Sequence, residues 1–255
     1  MTDTTEARTD DPRDTVTLMA DADRVLDCLY DGGVGLVPLD VAYAIIGARA
    51  SAMRRIFRAK ARSLEKPSGM FGHWTLSRRV HRLPAATHEV IEGMSKDVGL
   101  PFSVVAPFDA EDALFAHVDP FVLQSSSKAG TLDMLLNAGP LHNALALRGA
   151  ERGHPVFGSS ANLSLTGSKY RLSDIDAPVR QAADIALDYG ISKYANAQGR
   201  SSTIIDFTDF TVIRIGVAFD ALQEAFRTRF NIALSITPET AGQADPRKEG
   251  GLHGE

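Results

Sequence analysis

Lys60 and Arg62 stand two residues apart at the end of an amphipathic run. In an extended segment that spacing points both cations to one side. The arginine offers a planar fork for a carboxylate or phosphate, and the lysine adds a compact point charge. The same pair also suits a helix C-terminus, where basic side chains complement the dipole. A second motif, Gly158-Ser159-Ser160-Ala161-Asn162-Leu163-Ser164, follows an apolar run. Small residues let backbone amides approach an anion, and Ser160 and Asn162 add directed hydrogen bonds. A helix starting there would aim its positive end at the same spot, and a plain polar turn with a Ser or Asn cap is the ordinary alternative. A third, Gly199-Arg200-Ser201-Ser202-Thr203-Ile204-Ile205-Asp206, is a small-residue turn entering a buried strand. Its hydroxyls suit phosphate or ribose, or simply satisfy a hairpin. With Pro38-Leu39-Asp40-Val41-Ala42-Tyr43, these segments supply two fixed cations and a cluster of small hydroxyl and amide donors. That set matches the phosphates of a nucleotide together with a small anion.

Other chemistries fit less well. A nucleophile elbow around Ser160 lacks its closing glycine, because Asn162 stands there, and the strained turn normally needs that glycine. The seven histidines show no H-x-x-x-H or H-x-H spacing, so no metal site is expected. There is no Walker A segment and no G-x-G-x-x-G after a strand, so ATP binding would use another framework.

The elements that position these motifs alternate along the chain. Leu18, Ala22, Val25, Leu26 and Leu29 recur at helical spacing, and Asp31-Gly32-Gly33 stops that helix. Residues 34–38 form an apolar strand, Ala52 to Phe57 a second helix, and Ala86 to Met94 a third. Strands are expected at 102–106, 131–136, 185–187, 203–207 and 211–215. Pro140 opens a helix at a tolerated first position, and Ala218, Leu222, Ala225 and Phe226 mark the last. Such alternation predicts an α/β fold: a mostly parallel or mixed twisted open sheet flanked by helices. The polar segments 1–15 and 238–255 are expected as disordered tails around a folded domain at 16–237.

At 255 residues and 44% hydrophobic content the chain can bury a large core. A net charge of −5, from 27 basic and 32 acidic side chains, argues against a protein that coats nucleic acid. Arg54, Arg55, Arg58, Arg78, Arg79 and Arg82 nevertheless concentrate in one stretch, expected mainly as a solvated face. The single cysteine, Cys28, excludes an internal disulfide and a multi-cysteine zinc site. No apolar run is long enough to cross a bilayer, and the N-terminus lacks a secretory pattern. A cytoplasmic protein without membrane partners is expected.

Taken in order, the motifs resemble the YrdC-like family of threonylcarbamoyl-adenylate synthases and their relatives over about residues 20–216. Pro38 to Ile46 occupies the place of the family's Pro-Thr-Asp-Thr-x-Tyr-Gly-Leu-Gly. Lys60-Ala61-Arg62 matches its Lys-x-Arg, and Ser160-Ala161-Asn162-Leu163-Ser164 its Ser-Ala-Asn-x-Ser. Gly199 to Asp206 with Arg214-Ile215-Gly216 matches its late strand and Arg-x-Gly. The resemblance implies a large, positively lined cavity and an enzyme joining threonine, or another small amine, with bicarbonate and ATP into a carbamoyl-adenylate and pyrophosphate. It implies Lys60 and Arg62 as catalytic cations, Ser160, Asn162, Ser202 and Arg214 as ATP-binding residues, and Asp40, Tyr43 and His73 as the amino-acid pocket. Mg2+ accompanies the nucleotide, and the adenylate passes to a separate transferase that modifies tRNA.

Several positions depart from the pattern. Leu39 and Val41 replace two threonines, Ala44 and Ile46 replace glycines, and Leu135 falls near the arginine of the family's Ser-x-x-Val-Arg strand. Arg148 is the nearby candidate to substitute for that arginine. The nucleotide half of the motif set is therefore better kept than the amino-acid half. A non-catalytic RNA-binding or ribosome-associated module on the same fold is the competing expectation.

Overall fold

The computed structural model describes residues 15–63, 65–164 and 166–242. Helix α1, Thr15–Tyr30, buries Leu18, Ala22, Val25, Leu26 and Leu29 along one face. Strand β1, Gly35–Pro38, turns back through residues 39–42 into β2, Tyr43–Gly47, with Leu36 opposite Ile45 and Pro38 opposite Tyr43. Every residue of both strands is buried. The β2 strand was not expected from sequence.

Helix α2, Ala50–Ala59, presents Ala52, Met53, Ile56 and Phe57 to the core and ends at Lys60. Next come β3 (Gly69–Phe71), α3 (Trp74–Val80) and α4 (Ala85–Gly93), which runs on as a π-helical turn over Met94–Val98. Strand β4 spans Phe102–Pro107. The short helix α5 (Pro120–Gln124) and strand β5 (Ser127–Lys128) lead into β6, Thr131–Leu136. Helix α6, Pro140–Glu151, then feeds β7, Phe157–Ser160. The rest of the chain holds α7 (Ala177–Gln181), β8 (Ile185–Ala186), β9 (Thr203–Asp206), β10 (Thr211–Arg214), α8 (Phe219–Phe230), β11 (Ser235–Ile236) and α9 (Pro238–Gly242).

The strands form one mixed sheet in the order β11-β10-β9-β4-β6-β3-β7-β2-β1-β8, with β5 added to β6. Parallel pairs (β4 with β9, β3 with β6) sit among antiparallel ones (β4 with β6, β2 with β7). The mixed alternative of the expected α/β sheet is thus the one observed. The close pairing of β7 with β2 needs glycine at 158, since a Cβ there would lie 2.4 Å from the Ile45 carbonyl oxygen.

Of the two placements open to the serine motif, a strand end and a helix start, the structure shows the first: Ser159 and Ser160 close β7, and the described residues directly after them run through bends and a turn. The tails begin later than expected at one end: 238–242 form α9, and Thr15 already opens α1. Residues 1–14 and 243–255 lie outside the described residues.

Candidate functional site

A cavity of about 740 Å³ opens over the middle of the sheet. Its walls come from the β1–β2 loop (Leu39, Val41), the segment after α2 (Arg62, Lys66), β4 (Ser103), β6 (Asp133, Leu135), the end of β7 (Ser159, Ser160) and the β9–β10 pair (Ser202, Arg214). Elements distant in sequence converge because β4, β6 and β9 are sheet neighbours and β7 joins β3 to β2. The larger side chains at 39, 41 and 135 line the cavity without filling it. Ile46, which stands in place of a glycine of the family pattern, is not in its wall.

Arg62 reaches the cavity with its guanidinium fixed from behind. Nε donates to the Lys66 carbonyl oxygen at 2.9 Å and Nη2 to that of Pro67 at 2.7 Å. Arg214 is held the same way: Nη2 donates to the Ser202 carbonyl oxygen at 2.7 Å and approaches its hydroxyl at 3.2 Å. Burial lowers the pKa of each arginine. Repulsion from Arg214 adds to the effect on Arg62, while Asp133 opposes it at both. Both stay charged, because a guanidinium does not deprotonate in a protein. Both guanidinium groups line one hollow, whose wall also carries the Asp133 carboxylate.

Ser202 is buried, with its hydroxyl 3.3 Å from that of Ser103. Its backbone is set by Gly216, whose amide donates to Thr203 Oγ1 at 3.0 Å. Ser160 donates through its hydroxyl to Asn162 Oδ1. Three buried polar atoms of the wall, Ser126 Oγ, Ser159 Oγ and Asp133 Oδ1, have no hydrogen-bond partner within the protein. Native proteins rarely leave such atoms unpaired, and their concentration here marks a surface that a polar ligand would complete.

The charge of the lining is less one-sided than the resemblance implies. Arg62, Lys66, Lys128 and Arg214 are set against Glu65, Asp133 and Asp206. Among the described residues no cluster of three His, Cys, Asp or Glu side chains could hold a metal ion.

The structure separates some of the residues grouped by sequence. Arg62, Ser160, Ser202, Arg214 and Tyr43 line the cavity, whereas Lys60, Asn162, Asp40 and His73 do not. Lys60 is fully buried and donates to the carbonyl oxygens of Ser160 and Asn162, the latter at 2.8 Å. Burial, with repulsion from Arg62, pushes its pKa down to about 7, against the pull of Asp176. The two cations diverge because Ala61 between them takes a left-handed conformation, φ 48°. The chain turns there, and the same-side geometry of an extended segment is lost.

Tyr43 contributes to the wall, but its hydroxyl is anchored away from it, 2.9 Å from each of two acceptors on the loop after β8, Asp188 Oδ1 and the Gly190 carbonyl oxygen. Asp40 ties down the β1–β2 loop through its backbone, with its amide on the Ala138 carbonyl oxygen at 2.8 Å. His73 caps α3 by accepting from the Thr75 amide, and burial lowers its pKa. Arg148 is no substitute for the missing arginine, since it pairs with Asp23 on α1 at 2.7 Å. Sequence reasoning missed Asp133, Ser103 and Ser159. The available signal was the alternation of β6, which places residues 131, 133 and 135 on one face.

The Sua5/YciO/YrdC family, described as telomere recombination, matches residues 27–216, and the chain belongs to that family. Among solved structures it is similar to the hypothetical protein smu.1377c of Streptococcus mutans, with a TM-score of 0.70 and 18% identity over 84% of this chain and 93% of that one. It is also similar to Escherichia coli YciO, with a TM-score of 0.60 and 20% identity over 82% and 93%. For P. abyssi Sua5 complexed with L-threonine the TM-score is 0.64 and the identity 18%, over 86% of this chain but only 60% of that longer one. At these identities the likeness is one of fold. No curated protein sequence matches the chain.

Proposed function

We propose that the protein is an ATP-dependent nucleotidyltransferase that makes a carbamoyl-adenylate from an amine, bicarbonate and ATP, with L-threonine as the first amine to test. The observation that carries this reading is the pair Arg62 and Arg214, each braced by backbone carbonyls and facing one open cavity with Ser160 and Ser202.

In the reaction an uncharged amine combines with bicarbonate to give a carbamate and water. A carbamate oxygen bonds to the α-phosphorus of ATP, the bond from that phosphorus to the bridging oxygen breaks, and pyrophosphate leaves with the electron pair. Both reactants are anions, so holding them together is the main task. Arg62 and Arg214 would neutralise and align them, and the Ser160 and Ser202 hydroxyls would orient phosphate oxygens. Lys60, expected as a catalytic cation together with Arg62, would act in this reading by supporting the wall through the Ser160 and Asn162 carbonyls. Mg2+, when bound with the triphosphate, offsets the charge of the leaving pyrophosphate. Phosphate oxygens and water would serve as its ligands. The adenylate would pass to a separate transferase acting on tRNA.

Pyrophosphate release from ATP is the test. Release that requires bicarbonate together with an amine supports the reading, and ATP that neither binds nor turns over with any amine refutes it.

The RNA-binding alternative draws on the arginine-rich stretch at 54–82, where the structure gives four of the arginines carboxylate partners. Arg78 meets Glu92 at 2.8 Å, Arg79 meets Asp112 at 2.7 Å, Arg82 meets Asp109 at 3.0 Å and Arg55 meets Asp184. Arg54 stacks on Phe121 at 3.7 Å. A surface neutralised in this way is a poor polyanion site. Filter binding of tRNA across a salt series, with a steep slope and no ATP turnover, would favour the alternative.

A further inference from the structure

Strand β6 turns Thr131, Asp133 and Leu135 into the cavity. Leu135 falls near the place where the resemblance implies an arginine, and Asp133 puts a carboxylate on the same face. This strand therefore offers the cavity an anion and no cation. Asp133 is half-buried as a residue, but its Oδ1 is buried without a hydrogen-bond partner, and the group lies over the bare face of Gly69, where a Cβ would be 3.6 Å from the carboxylate carbon. The pKa of this acid is raised, because burial outweighs the opposing fields of Arg214 and Arg62; a bound cation would favour its charged form. Those arginines direct their donors to the Ser202, Lys66 and Pro67 carbonyls instead. The neighbouring wall, Leu39, Val41 and Leu135, is apolar.

Resting on the reading that a nucleotide occupies the Arg62–Arg214 side, we propose that the amine substrate carries a second, non-reacting cationic group held by Asp133. Its class is an aliphatic diamine or guanidinoalkylamine rather than an α-amino acid. The reacting nitrogen must be uncharged to form the carbamate and stays uncharged in the product, so it cannot remain the partner of Asp133. A second ammonium or guanidinium can. The methylenes between the two nitrogens would lie along Leu39, Val41 and Leu135. An α-carboxylate, by contrast, would face Asp133 with Arg62 and Arg214 engaged by the nucleotide and no arginine at 135, and like charges in a partly desolvated pocket repel strongly.

Calorimetric titration of the full chain tests this, with and without α,β-methylene ATP, using putrescine, n-butylamine and L-threonine as probes. Putrescine should bind about ten-fold or more tighter than n-butylamine, as a charged hydrogen bond implies. Asp133→Asn should erase that preference while its melting temperature shows it folded, and Leu135→Arg should shift preference toward L-threonine. Equal binding of putrescine and n-butylamine, tighter binding of L-threonine, or a preference unchanged in Asp133→Asn would each overturn the proposal. The titration without nucleotide separates the two readings. Asp133-dependent putrescine binding in a chain that does not bind the ATP analogue would keep this inference and remove the adenylate reading.

Discussion

The Lys60 ammonium donates to the Asn162 carbonyl oxygen at 2.8 Å. With its second bond, to the Ser160 carbonyl oxygen, and the Ser164 amide donating to the Lys60 carbonyl oxygen at 3.1 Å, it fastens the segment carrying Arg62 to the end of β7. The lysine thus acts on the cavity through the positions of Arg62 and Ser160.

Its burial gives stability a pH dependence. The folded pKa, about 7, lies below the 10.5 of a free lysine, so the folded chain binds fewer protons than the unfolded one between these values. Stability therefore rises with pH from about 7 towards 10. Lys60→Met removes this dependence and leaves two carbonyls without a donor, which costs about 1–3 kcal/mol each when they stay dry. Thermal melts at pH 7 and pH 9 should show a smaller pH shift for the variant and a lower melting temperature at pH 9.

Removing the cavity cations should act on binding rather than on folding. Arg62→Ala and Arg214→Ala should each weaken ATP binding by ~10- to 100-fold, corresponding to ~1.5–3 kcal/mol for a charged hydrogen bond. Calorimetry on the purified variants checks this. Retained affinity in both would place the nucleotide elsewhere.

Acid should loosen the fold through two buried histidines. Burial pushes His81 and His142 down to about 4 each. The folded chain binds fewer protons than the unfolded chain between about 4 and 6.5, so stability falls as pH drops through that window and levels off below it. His81 stays neutral between Ser77, at 2.9 Å, and the Leu132 carbonyl oxygen, at 3.2 Å. Urea midpoints at pH 7, 5.5 and 4.5 should fall, and His81→Gln should flatten the fall.

Gly216→Ala tests the turn that carries Ser202. A Cβ at 216 would lie 2.3 Å from the Ser201 carbonyl oxygen and from the Thr203 nitrogen. Backbone must move to admit it, at about 1–3 kcal/mol by analogy with overpacking. A lowered melting temperature together with weaker ATP binding is expected.

Long elements with a clear period were legible in the sequence. The face of α1 and the span of β6 at 131–136 appear where apolar spacing places them. The β2 strand was hidden because all five of its residues are buried, which leaves no alternation to detect. Three-residue β3 is too short to carry a pattern. In the site, residue types were legible and directions were not. Nothing about alanine announces the left-handed turn at 61 that sends Lys60 inward, and Asp133 went unnoticed inside an apolar strand. Pairing across the sheet, not local spacing, brings Ser103 beside Ser202.

The carboxylate partners of Arg78, Arg79 and Arg82, on and just after α3, turn three monopoles into dipoles, whose fields fade faster with distance. Beyond the Debye length, about 8 Å at physiological salt, this flank projects little potential. A charged solute approaching from that side arrives by undirected diffusion, at a rate nearly indifferent to ionic strength. Discrimination among anions is left to what they meet after entry.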